Sequence, residues 1–189
     1  PLTDEVVFRS PTAGALLALV ADHVVQGRVV FPGAAYLETA RAASCSAAGG
    51  AGIAATLSSI IFLQPLVLDS PSSHVRVVEC TLRDSGAIEI ASGPLVAASQ
   101  LEDATVHCTG SQHELCAPPP TDLVAHASGG PLGVAVCAVY DTFYHAGLQY
   151  GPQFRCLQQG WTSAAGGAAV AQLRSRRNTF GTVVHPADL

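Results

Sequence analysis

The segment Asp22-His23-Val24-Val25-Gln26-Gly27-Arg28-Val29-Val30-Phe31-Pro32-Gly33-Ala34-Ala35-Tyr36-Leu37-Glu38 constrains this chain more than any other. Val24 to Phe31 is β-branched and apolar enough to read as a strand. Pro32 then suits the first turn of a helix, where a missing N–H costs nothing. Ala34, Ala35, Leu37, Ala40 and Arg41 are good helix formers that carry the helix toward Ser44. His23 thus sits in an uncharged run just before a helix N-terminus. Partial desolvation lowers an imidazole pKa and favours its neutral, basic form. Unsatisfied N–H groups near Gly33 are available to polarise a carbonyl as enolate character develops. Gly27 lets backbone or substrate come close where a side chain would obstruct.

A chain of 189 residues suffices for one ordinary domain or for two small halves sharing a core. With 49% apolar residues but only 6% aromatic ones, that core must lean on Val, Leu, Ile and Ala. No run reaches the roughly 18 apolar residues of a membrane span, and the start lacks a secretory signal, so a soluble, cytoplasmic protein is expected. The formal charge is −5 and lysine is absent, which argues against a phosphate-coating nucleic-acid binder. Cys45, Cys80, Cys108, Cys116, Cys137 and Cys156 form no CxxC pair, so reduced thiols are expected instead of a disulfide framework. The chain starts at Pro1 without any methionine and reads as part of a larger polypeptide.

Short apolar runs occupy Val6 to Phe8 and Leu16 to Val20. After a small-residue break at Ala47 to Gly52 the texture turns to strands: Thr56 to Leu68 (interrupted at Gln64-Pro65), His74 to Leu82, Ala87 to Ala91 and Ala104 to Gly110. Arg83-Asp84-Ser85-Gly86 is a turn signal between two of them. One helix backed by antiparallel-looking strands is an α+β pattern. The Pro- and Gly-rich stretch 116–131 reads as a linker, dividing the chain into residues 1–115 and 132–189. The same order then restarts, with a strand at Val134 to Val139, a helix at Tyr140 to His145, and a strand from Trp161 to Leu173 broken at Gly166-Gly167.

His23, Gly27 and Pro32 match an HxxxGxxxxP pattern, and the FPGAAYLE that follows has the same origin. Gly147-Leu148-Gln149-Tyr150-Gly151-Pro152-Gln153-Phe154 matches GYxYGPxF with leucine for the first tyrosine. Val106 to Gly110 resembles a strand closing a first half, and His185-Pro186-Ala187 starts an HPAxxD pattern. In these four blocks the chain resembles the dehydratase domains of polyketide synthases and animal-type fatty acid synthases. The resemblance implies a double hotdog, each half a helix wrapped by a curved antiparallel sheet, with the first half carrying the catalytic histidine and the second incomplete at its C-terminal end.

The resemblance also implies dehydration of a (3R)-3-hydroxyacyl thioester to the 2,3-enoyl form. No cofactor is expected, the substrate being carried on the phosphopantetheine of acyl carrier protein. Expected partners are that carrier domain and the neighbouring ketosynthase, acyltransferase and ketoreductase domains, with a homodimer possible. His23 is the implied general base, with Gly27, Pro32, Gly33, Tyr150, Gly151 and Pro152 around the substrate and no metal. The implied acid is an aspartate five residues after His185, at the position following Leu189. Asp188 is the one candidate acid within the chain, but a two-residue shift on a helix turns a side chain by roughly 200°.

Two other readings share these motifs: an aldol cyclase of the product-template type, and a non-catalytic structural module of the same fold. His107, Cys108, His113 and Cys116 fit no standard zinc spacing, and His107 reads as structural. Arg174, Arg176 and Arg177 form the basic cluster, either a solvated loop or a surface for an acidic carrier domain. Gly49-Gly50 and Gly166-Gly167 lack the context of a phosphate loop and read as turns.

Overall fold

Helix α2 (Gly33–Ala47) is built around small residues, and this decides how closely it meets the sheet beneath it. Ala35, Ala40 and Ala43 are buried along one face, with Tyr36 beside them as the single bulky group. The computed structural model describes residues 5–49, 55–68, 76–97, 100–114, 131–163, 169–176 and 181–188. Among these, α2 packs against a curved antiparallel sheet of β1 (Glu5–Pro11), β4 (Ala55–Phe62), β5 (Arg76–Arg83), β6 (Ala87–Ala97) and β8 (Thr105–Glu114), in the order β1-β5-β6-β8-β4. The short β7 (Gln100–Leu101) pairs with β6.

Alternate residues of the central strands meet the helix, as the two-residue side-chain period of a strand requires. Val78, Cys80 and Leu82 come from β5, Ile88 and Ile90 from β6, and Cys108 from β8. Leu19 and Val20 of α1 (Ala15–Val20), together with Phe31 and Leu66, close the cluster. Phe31 and Tyr36 meet edge to face at 4.7 Å. Leu16 to Val20 is therefore helical; the backbone turns into it at Gly14, with φ 60°.

Val24 to Phe31 is not the single strand its composition suggests. It is a hairpin of β2 (Val24–Val25) and β3 (Arg28–Val29), with Gln26 and Gly27 at φ 50° and 76°. Two successive positive φ values make the type I′ turn that matches strand twist. Local β-propensity could not reveal it, because only backbone handedness at two residues separates hairpin from strand. The approach from β3 to α2 is fixed by Leu68 N–H on Val29 O at 2.9 Å and Phe31 N–H on Leu66 O at 2.8 Å.

A second sheet orders β11 (Ala169–Leu173), β10 (Leu157–Ser163) and β9 (Pro131–Val134), with α3 (Val136–His145) beside β10. The strand expected over Val134 to Val139 ends at Val134, and Val136 and Val139 join the helix. No α3 residue is buried, and the helix is tied to β10 by Tyr140 Oη accepting Leu157 N–H at 2.9 Å. The strand expected to start at Trp161 begins earlier, at Leu157. Most of the expected linker, 116–130, lies outside the described residues. Among the described cysteines, Cys80, Cys108, Cys137 and Cys156 form no disulfide; Cys116 lies outside the described residues. Among the described residues no helix is long and apolar enough to cross a membrane.

Glu38 lies buried on α2 and links it to the chain's last described segment. Its carboxylate receives Arg41 at 2.6 and 2.7 Å and Val183 N–H at 2.9 Å. Burial opposes its ionisation, yet Arg41 and the Val183 and Val184 N–H groups hold its pKa below the ordinary value. A depressed carboxylate pKa stabilises the fold above the unfolded-state pKa, and that support is lost as pH falls through the folded-state value. Glu38→Ala is expected to cost about 2 kcal/mol in urea unfolding at pH 7. The difference from wild type should shrink in acid.

Edge strand β4 ends in Ile61 and Phe62, followed by Leu63; they are 56%, 53% and 55% exposed, beyond a bulge between Ser58 and Ile61. An apolar unpaired edge favours association. Sedimentation of residues 1–189 alone should show concentration-dependent oligomers that Phe62→Asp reduces; a monodisperse wild-type monomer would contradict this.

Candidate active site

His23 stands at the entry to the β2–β3 hairpin, held by its own backbone. Its N–H donates to Val20 O at 2.8 Å, and its carbonyl accepts Val30 N–H at 3.1 Å. The ring is fixed as well: Nδ1 lies 2.7 Å from Val30 O. A carbonyl only accepts, so Nδ1 carries the proton and Nε2 keeps its lone pair. Burial lowers the His23 pKa, and the Val30 bond offsets this in part. The outcome is a neutral, oriented imidazole near neutral pH, the form a general base needs.

The segment 147–154 closes against this hairpin. Val25 bridges to Leu148, Gln26 N–H donates to Gly147 O at 2.7 Å, and Gln149 N–H donates to Val24 O at 2.8 Å. Gly27 N–H donates to Gln149 Oε1 at 2.7 Å. Farther along, Gly151 N–H reaches Asp22 O at 2.8 Å and Gln153 N–H reaches Asp22 Oδ2 at 2.7 Å. Tyr150 is thereby stacked on His23, centroids 5.2 Å apart and planes 25° apart. Phe154 meets the imidazole at 5.2 Å and 55°. Burial raises the Tyr150 pKa, so its hydroxyl stays protonated and can donate.

The expected glycines and prolines act differently from the sequence reading. A Cβ on Gly27 would meet nothing within 4 Å, so close approach is not its reason; the type I′ turn demands its φ of 76°. A Cβ on Gly151 would overlap the Asp22 carboxyl, so that glycine makes room for a side chain of the protein and not for substrate. Pro152 is exposed and lines a cavity of about 280 Å³ with Gln153, Cys156, Arg174, Ser175 and Arg176, to which His23 does not contribute. A second cavity, of about 270 Å³ between α1 and α2, likewise excludes His23. Neither marks the histidine's reaction face.

Pro32 precedes α2 as its N-cap, with φ −70° and ψ 150°, instead of lying in the first turn. No side chain caps this end, and Gly33 is exposed under the Phe62 ring, which a Cβ would meet at 3.4 Å. The first N–H groups of α2 retain the partial positive charge of a helix start.

Asp188 is not held in the protonated form that an acid needs. It lies in a 3-10 turn, Pro186–Asp188, paired bidentately with Arg176 at 3.0 Å through both carboxylate oxygens. Hydrogen bonding to Arg176 lowers its pKa, keeping it ionised, whereas an acid must hold its proton. Arg176 also donates to Gln153 O at 2.7 Å, so this member of the basic cluster is structural; Arg177 lies outside the described residues. His185 is fully buried against Phe154, ring centroids 5.8 Å apart. His23, Tyr150 and Phe154 thus form one ring cluster, Tyr150 and Phe154 themselves meeting at 6.2 Å, and His185 extends it from Phe154. His107 has both nitrogens engaged, Nε2 with Ser92 at 2.8 Å and Nδ1 with Gln64 O at 3.1 Å, which fits a core residue and not a metal ligand.

The motifs did not single out Asp22, Gln149, Phe154 as a ring partner, or Glu38. Each is visible only once 22–27 is laid beside 147–154, or α2 beside 183–188.

Two family models match, "Polyketide synthase dehydratase domain" over residues 1–93 and "Polyketide synthase dehydratase N-terminal domain" over 118–189. Polyketide synthase ThaG of Burkholderia thailandensis is 32% identical over 165 residues, covering 84% of this chain and 3% of the relative. Polyketide synthase GfsB of Streptomyces halstedii is 30% identical over 194 residues, covering 98% of the chain and again 3% of the relative. Among solved structures, the dehydratase domain from the CurJ module of curacin polyketide synthase superposes with TM-score 0.74 at 25% identity, over 99% of this chain and 64% of that one. The CurF dehydratase domain gives 0.76 at 21%, over 97% and 67%. The chain thus spans a small fraction of these synthases and about two thirds of the solved domains, and its architecture is the double hotdog. This chain belongs to the dehydratase domains of polyketide synthases.

Proposed function

We propose that this chain supplies the base half of a dehydratase that removes water from a (3R)-3-hydroxyacyl thioester carried on acyl carrier protein. His23 carries the proposal: a neutral imidazole with Nδ1–H on Val30 O and its Nε2 lone pair available, between Tyr150 and Phe154. Nε2 takes the C2 proton. The start of α2 at Gly33 stabilises the thioester oxygen as enolate character develops. The C3–O bond then breaks, the hydroxyl leaving as water with a proton from an acid, and a C2–C3 double bond remains.

The acid is proposed to be the aspartate that the HPAxxD pattern puts after Leu189. The solved neighbours include CurK dehydratase variants described as inactive, one with histidine changed to phenylalanine and one with aspartate changed to asparagine. That both changes inactivate the relative supports a histidine–aspartate pair here as well. The two separate sheets support reading 1–115 and 132–189 as the two hotdog halves joined by 116–131. The thiols of Cys80, Cys108, Cys137 and Cys156, which form no disulfide, support a reducing, cytoplasmic setting beside other synthase domains, with the carrier domain bringing substrate on its phosphopantetheine.

In the synthase, His23→Ala should lower conversion of a 3-hydroxyacyl-pantetheine thioester to the enoyl product by about 10²–10⁴-fold. Undiminished elimination would remove His23 as the base. A poly-β-keto thioester should give no aromatic product; its appearance would favour the cyclase reading. For wild type, kcat/KM should rise with pH along an acid limb whose pKa lies below 6.5, because burial lowers the His23 value and only the neutral ring accepts a proton. A limb above 6.5 would contradict this environment.

A further inference from the structure

We propose that Asp22 is a positioning residue that sets the aromatic surroundings of His23 by holding the turn Gly151–Phe154 in place. The inference rests on His23 being the base. Asp22 holds the turn at two points: its carbonyl accepts Gly151 N–H at 2.8 Å, and its carboxylate Oδ2 accepts Gln153 N–H at 2.7 Å. The ring-bearing residues bracket those bonded ones. Tyr150 precedes Gly151, and Phe154 follows Gln153, so the rings that contact His23 at 5.2 Å flank the segment that Asp22 fixes. The turn closes on itself through Phe154 N–H on Gly151 O at 3.0 Å, which carries the Asp22 restraint to Phe154.

The fit between Asp22 and Gly151 is tight enough to forbid a methyl group. Asp22 and His23 are neighbours in the chain, so a shift of the Asp22 backbone also moves the imidazole. One residue thereby fixes both sides of the contact, the histidine by the peptide bond and the rings by its carboxyl. Since those rings bury His23, loosening the turn admits water to the imidazole and relieves the desolvation that lowers its pKa. Of the ionisable groups packed around His23, Tyr150 stacks on its ring and His185 lies beyond Phe154, while the Asp22 carboxylate faces the Gly151–Gln153 turn.

Charge and positioning predict opposite signs. An Asp22 that acted through its negative charge alone would favour protonated His23, so Asp22→Asn and Asp22→Ala would both lower the histidine pKa equally. An Asp22 that holds the turn keeps its acceptor in the asparagine variant and loses it in the alanine variant.

The test is NMR titration of the His23 ring in the intact dehydratase domain, alongside kcat and KM in the synthase. Asp22→Ala should bring the His23 pKa above that of Asp22→Asn by about half a unit or more. It should also lower kcat by about 10-fold or more with a smaller change in KM, as expected for a misplaced base. Asp22→Asn should recover most of kcat. Gly151→Ala leaves Asp22 intact but pushes the turn from it, and should reproduce the alanine titration, which covers the case of an unfolded Asp22→Ala. Equal His23 pKa values in the Ala and Asn variants, or a wild-type titration in Gly151→Ala, would overturn the proposal. The titration reads the ring whether or not His23 is the base, whereas loss of the base assignment appears as activity retained in His23→Ala.

Discussion

The backbone ladder between residues 22–27 and 147–153 is the constraint on which the site depends. Gln26, Gln149 and Gly151 donate or accept main-chain bonds across it, and the side chains of Asp22 and Gln149 add two more. Each such bond contributes only about 1 kcal/mol net. Together they convert a two-residue hairpin, too small to persist alone, into one edge of a joint between two sheets. The type I′ turn at Gln26-Gly27 makes this possible, because it presents N–H groups of both turn residues to the second segment.

A second joint lies on the far side of α2. Glu38 accepts from Val183 while pairing with Arg41, and this fixes the approach to His185. Arg176 does comparable work between Gln153 and Asp188. Buried ion pairs are weak contributors to net stability, since desolvation offsets attraction. Their value lies in register: the Glu38 bond ties Val183 to α2 of the first group, and the Arg176 bonds hold Gln153 and Asp188 together within the second. The ring cluster of Tyr150, His23 and Phe154, extended by His185, is the common product of both joints.

The strand periods of β5 and β6, the helix from Gly33 and the turn at Gly86 were legible in local pattern. The hairpin was not, because β-branched residues around Gln26-Gly27 suit one strand or two, and only the sign of φ separates them. Val136 and Val139 misled because their strand preference is weak: they lie in a helix that buries no residue and that Tyr140 ties to β10. Among site residues, His23 was recognisable and its neutral state inferable from an apolar run. Asp188 was a candidate by position alone; the adjacent guanidinium, contributed by a residue twelve positions earlier, decides its ionisation against the role.

The sequence by itself determined the chemistry on offer: one histidine in a poorly solvated run, a helix start just beyond it, and the motif blocks that mark the family. Tertiary structure alone decided how these are used. It paired Asp22 with Gln153 across 131 positions and Gly27 with Gln149 across 122. Contacts of that separation depend on sheet register and loop closure over the whole chain, which no local rule encodes. The imidazole's identity is written in one residue, while its tautomer, its ring partners and its solvent exposure are set by segments that meet only on folding.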